Sequence, residues 1–406
     1  MKHIFILGLT TAILGSCNDK KQLESTTNEI VRDTAKAETS YKPAFEEQTR
    51  APFVKTQTPI AVDVITENLG LAWAVSNLDD NKLIITGKES GEMFIVDLAN
   101  PSIPKKITGF PKVNVTSQGG LLDVIADPDY KTNRTIYWSY SEPINDDKMS
   151  DHTAIAKGTL SADETKIENV QVIYRTFPDS NSGLHYGSRF AFDKDGYLYV
   201  SIGERSSKET RPLAQDLSTP LGKILRLTKD GKPAPGNPFA NTPNALPEIY
   251  SVGHRSPQSL VFDEKGQLWE IEHGPRGGDE VNLIEAGKNY GWPTITYGIE
   301  YSEETIGDGS TQKEGLEQPV YYWDPVIAPS GSEIYTGNIE EWKGNLFVGG
   351  LRTQLLGRLI IKDNKIVGEE HLLKDQNDRI RDMVTGNDGN LYVVGDKGNL
   401  YKISKK

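Results

Sequence analysis

A short motif recurs along the chain and restricts its fold more than any other feature. A tight turn is followed by one spacer, then by an apolar residue and usually an aromatic. Clear copies are DGYLY (195–199), KGQLW (265–269), KGNLF (343–347) and DGNLY (388–392); weaker ones are DNKLI (80–84) and NRTIY (133–137). Gly or Asn in the turn accepts positive φ at little cost, and the alternating residues beyond it form a strand with one buried face. Six copies predict an all-β protein, a six-bladed β-propeller with four-stranded antiparallel blades. The spacing exceeds the roughly 40–45 residues of a minimal blade, so long loops are inserted, mainly between Asp195 and Lys343. After the last copy only one hairpin remains, through KGNLYKI (397–403), so an N-terminal strand is expected to complete that blade and cover its edge. A pair of β-sandwiches with coincident turns is the competing architecture.

The N-terminus carries Lys2, an apolar run from Ile4 to Leu14, and then LGSC ending at Cys17. The run is too short to span a bilayer as a stable helix and fits a signal segment. LGSC is similar to a bacterial lipobox, so 1–17 is expected to be a lipoprotein signal peptide with its lipobox ending at Cys17, which is acylated and becomes the mature N-terminus; a plain signal peptide or a stray thiol is the alternative. Cys17 is the only cysteine, so the mature chain forms no internal disulfide and has no Cys-x-x-Cys-His haem site. Residues 18–57 are polar and are expected to be a flexible tether, with the folded domain over 58–406. These features predict a lipid-anchored protein of the cell envelope, attached to the membrane through the anchor alone. With 45 Lys+Arg against 57 Asp+Glu, the net charge of −12 argues against a nucleic-acid partner.

Four segments carry polar groups that sheet packing does not explain. In TSQGGLLD, Gln118 stands before two glycines at the start of an apolar run; an ordinary turn residue would read the same way. In LHYGSR, His185 precedes a strand, and Glu204 follows the next one. Antiparallel neighbours bring these two positions to one rim, where an imidazole suits proton abstraction near neutral pH. A polar residue at the start of a strand is the competing reading. GHRSPQ offers Arg255 and Gln258, and EHGPRGGDE is a glycine-rich loop able to turn carbonyls inward beside Glu280, the oxygen ligands a hard cation such as Ca²⁺ takes. A salt-bridged turn would have the same composition. In RIRD, Arg379 and Arg381 share a strand face at period two, which favours an anion between them; two exposed charges on an outer strand are the competing reading. Arg352, in GGLRTQ, is a third candidate cation.

Together, QGGLLD, HYGSR, GHRSPQ, EHGPRGGDE, NYGWP, WKGNLF and RIRD resemble, in order, the glucose/sorbosone dehydrogenase family, in particular its aldose sugar dehydrogenases that use pyrroloquinoline quinone (PQQ). The resemblance covers about Pro59 to Ile403. It implies PQQ and Ca²⁺ in a cleft at one end of the propeller and oxidation of an aldose at its anomeric carbon to a lactone. On the matching positions, His185 is the proton acceptor and Arg255 lies against the reactive quinone carbonyl. Gln118, Ser256, Tyr301, Arg352, Arg379 and Arg381 contact the cofactor. The carbonyls of Gly274 and Pro275 hold the cofactor's Ca²⁺, whereas Glu280 and the Tyr290 backbone belong to a second, structural Ca²⁺. Glu204, Gln258 and Trp323 lie on the substrate side. Electrons pass to a separate acceptor.

Three positions depart from the family pattern: Ser256 where Asn is frequent, Arg352 where Lys occurs, and Glu204 where Asp is common. None removes the base or the metal loop. A non-catalytic carbohydrate- or protein-binding propeller predicts loss of the base or the arginines, and both are present. A metal-dependent lactonase leaves the arginines unexplained.

Overall fold

The computed structural model describes residues 30–144 and 150–406. Six four-stranded antiparallel sheets form a six-bladed β-propeller. The innermost strands, in chain order from the first blade to the sixth, are Ala72–Asp79, Leu121–Ala126, Gly187–Phe192, Pro257–Phe262, Pro329–Ile334 and Ile380–Thr385. Each packs against the next, and the sixth returns to the first. The ring is closed by Ile60–Thr66, which pairs antiparallel with Leu400–Lys405 as the outer strand of the sixth blade. This is the N-terminal strand the unfinished hairpin required.

Every copy of the repeat sits at the same place, the turn between the innermost and second strands of its blade. Gly196, Gly266, Gly344 and Gly389 adopt φ between 71° and 80° there, a conformation in which a Cβ is strained. The residues beyond the turns enter the second strands, such as Leu198–Ile202 and Leu391–Gly395, and are buried. Their side chains fill the six hydrophobic clusters that lie between successive blades, including the one joining the sixth blade to the first.

Arg189 blocks the axis. Its guanidinium stacks on Trp73 at 3.9 Å and bonds Asp382 Oδ2 at 2.9 Å, Asp123 Oδ1 at 3.3 Å and the carbonyls of Gln258 at 2.8 Å and Arg381 at 3.2 Å. One side chain therefore ties innermost strands of five blades.

The expected tether differs from the structure over 32–57, which packs on the fourth and fifth blades. Asp324 accepts from the amides of Glu38 and Thr39 at 2.6 and 3.1 Å. Gln48 is buried and exchanges bonds with Pro319 and Tyr322. Ala51 donates to the Tyr321 hydroxyl, Phe53 bridges to Glu369, and Thr56 bonds Glu370. The segment is polar because its groups satisfy the open edges of outer strands, a role that composition cannot tell apart from solvation. The expected signal segment and Cys17 lie outside the described residues, and among the described residues no helix is long and apolar enough to cross a membrane.

Candidate active site

All six innermost strands begin at one end of the axis, so the loops entering them surround a single cavity of about 510 Å³. Its wall includes Trp73, Lys88, Gln118, His185, Arg255, Gln258, His273, Gly274, Tyr301, Arg379 and Arg381. Blades that are far apart in sequence thus supply one site, and its polar lining is strongly cationic.

His185 sits in left-handed conformation (φ 47°) on the loop entering the third blade. Its amide donates to Gln118 Oε1 at 2.9 Å, and its Nδ1 lies 2.6 Å from Glu204 Oε1. Burial, reinforced by the charges of Arg255, Arg205 and Arg211, holds the imidazole well below its usual pKa. Burial pushes the Glu204 carboxyl up to about 7, against the pull of the same arginines. Above that pH the carboxylate accepts Nδ1–H, and Nε2 is left with its lone pair on a residue that lines the cavity. Glu204 itself is 1 % exposed and does not line the cavity. It stands behind the imidazole as an orienting group rather than on the substrate side, because the second strand of the blade ends under the loop that carries His185.

Arg255 is held from both ends. Its amide donates to Glu272 Oε2 at 2.6 Å, and Nη1 donates to the carbonyls of His273 at 3.0 Å and Gly274 at 2.9 Å. Its Nε is buried without a partner, a donor that a ligand acceptor in the cavity would satisfy. Gly274 is clamped by Asp279, which also takes the amide of Ala328. A Cβ on Gly274 would meet the Gly278 carbonyl at 2.2 Å, so only glycine permits this fold of the loop.

Arg379 and Arg381 line the cavity together, as their period-two spacing predicts, but the anion between them comes from the chain. Asp396 Oδ2 accepts from Arg379 Nε at 2.8 Å and from Arg381 Nη2 at 3.2 Å, and its other oxygen pairs with Arg381 Nε. Lys88, which sequence reasoning missed, adds an ammonium that donates to the Ser117 carbonyl at 2.7 Å and is held below its usual pKa by burial. Tyr301 stands at the mouth, 73 % exposed.

Three expected contacts lie elsewhere. Arg352 is outside the cavity wall with its side chain 54 % exposed, bonded to Glu38 Oε1 at 3.1 Å. Trp323 is buried in the core between the fourth and fifth blades, where its indole donates to Glu369 at 3.2 Å. Ser256 is buried behind Gln258, whose amide donates to its Oγ at 3.2 Å. Aromatic and hydroxyl side chains serve cores and sites equally well, so their type alone did not separate the two.

Below the Gly274 loop, one face of the fourth blade gathers Glu270, Glu272, Glu280 and Asn282, since Glu270 pairs with Asn282 and Glu272 with Glu280 across adjacent strands. His254 closes over Glu272 at 3.4 Å and stacks on Tyr290. Ligand atoms of His254, Glu270 and Glu272 lie within 4.8 Å of one another, and Glu270 Oε1 and Asn282 Oδ1 are buried without partners. Burial and mutual repulsion raise Glu270 and Glu280 well above the carboxylate range. A cation would satisfy both the charge and the orphaned oxygens. Of this cluster sequence reasoning found only Glu280 and Tyr290; the alternation EIE at 270–272 opposite EVN at 280–282 was the available signal.

Residues 69–402 match the family model for glucose/sorbosone dehydrogenase. The chain belongs to the glucose/sorbosone dehydrogenase family. It is 38 % identical over 352 residues to the aldose sugar dehydrogenase YliI of Escherichia coli, spanning 86 % of this chain and 93 % of the relative. The crystal structure of the soluble aldose sugar dehydrogenase of Escherichia coli, in its apo form, superposes with a TM-score of 0.80 at 37 % identity, covering 86 % of this chain and 100 % of that one. The PQQ-bound aldose sugar dehydrogenase of Streptomyces coelicolor superposes with a TM-score of 0.70 at 25 % identity, covering 86 % and 100 %. Family membership places the chain among oxidoreductases of this kind.

Proposed function

We propose that this family member oxidises aldose sugars at the anomeric carbon to lactones, using PQQ and Ca²⁺. The observation that carries the reading is His185, kept neutral and oriented by Glu204 on the wall of a cationic cavity. The residues present fit the cofactor. A cavity of about 510 Å³ suits a rigid multi-ring ligand. Lys88, Arg379 and Arg381 offer positive charge to its carboxylates, the unpartnered Arg255 Nε offers a donor to a quinone oxygen, and Tyr301 stands where it can cover the ring. The PQQ-bound relative adds independent support. Gly274 and Pro275 would hold its Ca²⁺ through carbonyl oxygens, with Arg255 yielding its bond to Gly274; the buried carboxylates with Tyr290 would hold a second.

When bound, PQQ supplies the hydride acceptor, with Ca²⁺ polarising its oxygen. The chain does the rest. His185 Nε2 accepts the proton of the anomeric hydroxyl as its C–H hydride departs, leaving the carbonyl of the lactone. Glu204 stabilises the imidazolium that forms. Arg255, with its backbone amide held by Glu272 and its Nη1 by the His273 carbonyl, faces developing negative charge with its unpartnered Nε–H. Gln258, beside Arg255 on the wall, is placed to bond a sugar hydroxyl.

The lipobox-like LGSC supports attachment to a bacterial membrane through Cys17, and a chain without a haem site passes its electrons to a separate carrier. The test is titration of purified protein with PQQ and CaCl₂, followed by absorbance, then aldose-dependent reduction of a dye. His185→Ala should retain PQQ binding and lose turnover. Failure of the wild type to bind PQQ would refute the reading; binding without turnover on any aldose would favour a non-catalytic propeller.

A further inference from the structure

The His185–Glu204 pair is itself held by a buried ion pair that reaches across a blade boundary. Arg205 follows Glu204 directly and is 1 % exposed. Its Nε donates to the carbonyl of Leu184, the residue before His185, at 2.9 Å. Its guanidinium stacks 3.8 Å from the ring centroid of Tyr186, the residue after His185. Its Nη2 donates to Asp151 Oδ1 at 2.7 Å. Asp151 belongs to the second blade, in the strand Asp151–Leu160, and its other oxygen accepts from the Tyr186 hydroxyl at 2.6 Å and from Asn114 Nδ2 at 2.8 Å. One guanidinium thus grips both neighbours of His185, is itself the neighbour of Glu204, and is bolted to the adjacent blade.

We propose that Arg205, anchored by Asp151, is the positioning residue that sets the geometry of the His185–Glu204 pair. This rests on the reading of His185 as the proton acceptor. The backbone needs such a bolt. His185 on one loop, Gly187 and Ser188 at the start of the strand it enters, and Arg205 and Ser206 on the other loop all adopt positive φ between 47° and 79°. Non-glycine residues stay in that region only where the surroundings over-determine them. A buried ion pair is a poor source of net stability compared with apolar residues of similar volume. What this pair supplies instead is direction: the planar fork meets a carbonyl, a carboxylate and a ring face at once, which a lysine cannot do. Misplacement of a reacting group by about 1 Å costs on the order of 10²-fold in rate, so a loosened bolt should act on turnover while leaving the cofactor cavity intact.

Two variants of the full chain test this. Arg205→Lys keeps the charge beside Asp151 but cannot make all three contacts. Asp151→Asn with Arg205→Met removes both charges, so no buried carboxylate is stranded if the first variant folds poorly. Each is loaded with PQQ and CaCl₂ and compared with wild type. We expect kcat to fall about 10- to 100-fold while KM for the aldose and Kd for PQQ stay within about threefold. Wild-type kcat in either variant, or loss of PQQ binding instead of turnover, overturns the proposal. A second readout does not depend on activity. In ¹⁵N-histidine spectra, assigned with His185→Ala, wild type should show His185 as the Nδ1–H tautomer with a downfield, strongly bonded proton, and both variants should lose it. An unchanged resonance in the variants overturns the proposal even if the chain proves not to use PQQ, whereas its loss from both variants, beside a wild type that keeps it but shows no PQQ-dependent turnover, would leave the bolt standing and refute only the function.

Discussion

Replacing Glu204 by Gln is the sharpest probe of the proposed base, His185. The Nδ1 of His185 lies 2.6 Å from Glu204 Oε1, at the short limit for a charge-assisted N–H···O bond. Such bonds contribute roughly 1.5–3 kcal/mol, and here the contribution grows as His185 takes a proton and becomes cationic. Converted at 1.36 kcal/mol per tenfold, Glu204→Gln should lower kcat by about 10- to 150-fold. The pH profile carries more information than the rate. The Glu204 carboxyl is pushed up to about 7 by burial. Below that pH it is protonated and donates to Nδ1, so the neutral imidazole must carry its own proton on Nε2 and has no lone pair toward the cavity. Wild-type kcat should therefore fall about tenfold per pH unit below 7 and level off above it. Glutamine does not titrate, so the variant should be slow throughout and lack that limb. The assay is dye reduction by PQQ-saturated enzyme at saturating aldose from pH 5 to 9. Wild-type rates in Glu204→Gln, or the same acid limb in both proteins, would refute the argument.

Arg381→Ala should raise Kd for PQQ about 10- to 100-fold by removing a charged partner while Asp396 remains, and equilibrium absorbance titration reads it; unchanged affinity removes Arg381 from the clamp. Ca²⁺ should raise Tm by a few degrees by binding the Glu270–Glu272–Glu280 face, with EGTA reversing the shift and Glu270→Gln blunting it; equal shifts in variant and wild type would place the effect elsewhere. Deleting residues up to Gln57 uncovers the outer edges of the fourth and fifth blades. The truncated chain should unfold at lower temperature and self-associate in size-exclusion chromatography, and wild-type behaviour in both would return the segment to a loose tether.

The blades were legible because their signal is local. Each repeat couples a positive-φ turn to a strand whose alternate residues are buried, and both operate within about five residues of sequence. The base, Arg255 and the RIRD arginines were legible as candidates because their chemistry is uncommon on an acidic, sheet-forming chain. Trp323 was misplaced because a tryptophan beside two tyrosines reads the same in a core and over a substrate. Arg352 was misplaced because its partner, Glu38, lies 314 residues away in a segment that reads as solvated. Lys88 and Asp396 went unseen for the same reason: a lone charge in a turn has no signature until its neighbour is known.

Sequence alone therefore determined the number of blades, the position of every inner hairpin, the need for an N-terminal strand to finish the last blade, and the order of the loops around the site. These depend on interactions between near neighbours and on period-two burial. Only the tertiary structure decided which charges are free to meet a ligand. Closing the ring brings Asp382 to Arg189 across 193 residues and sets Asp151 of one blade against Arg205, behind His185 of the next. Electrostatics falls off with distance in space, not along the chain. Whether an arginine lines the cavity or braces the chain, and whether Glu204 faces the cavity or the imidazole, was fixed only when the six blades met.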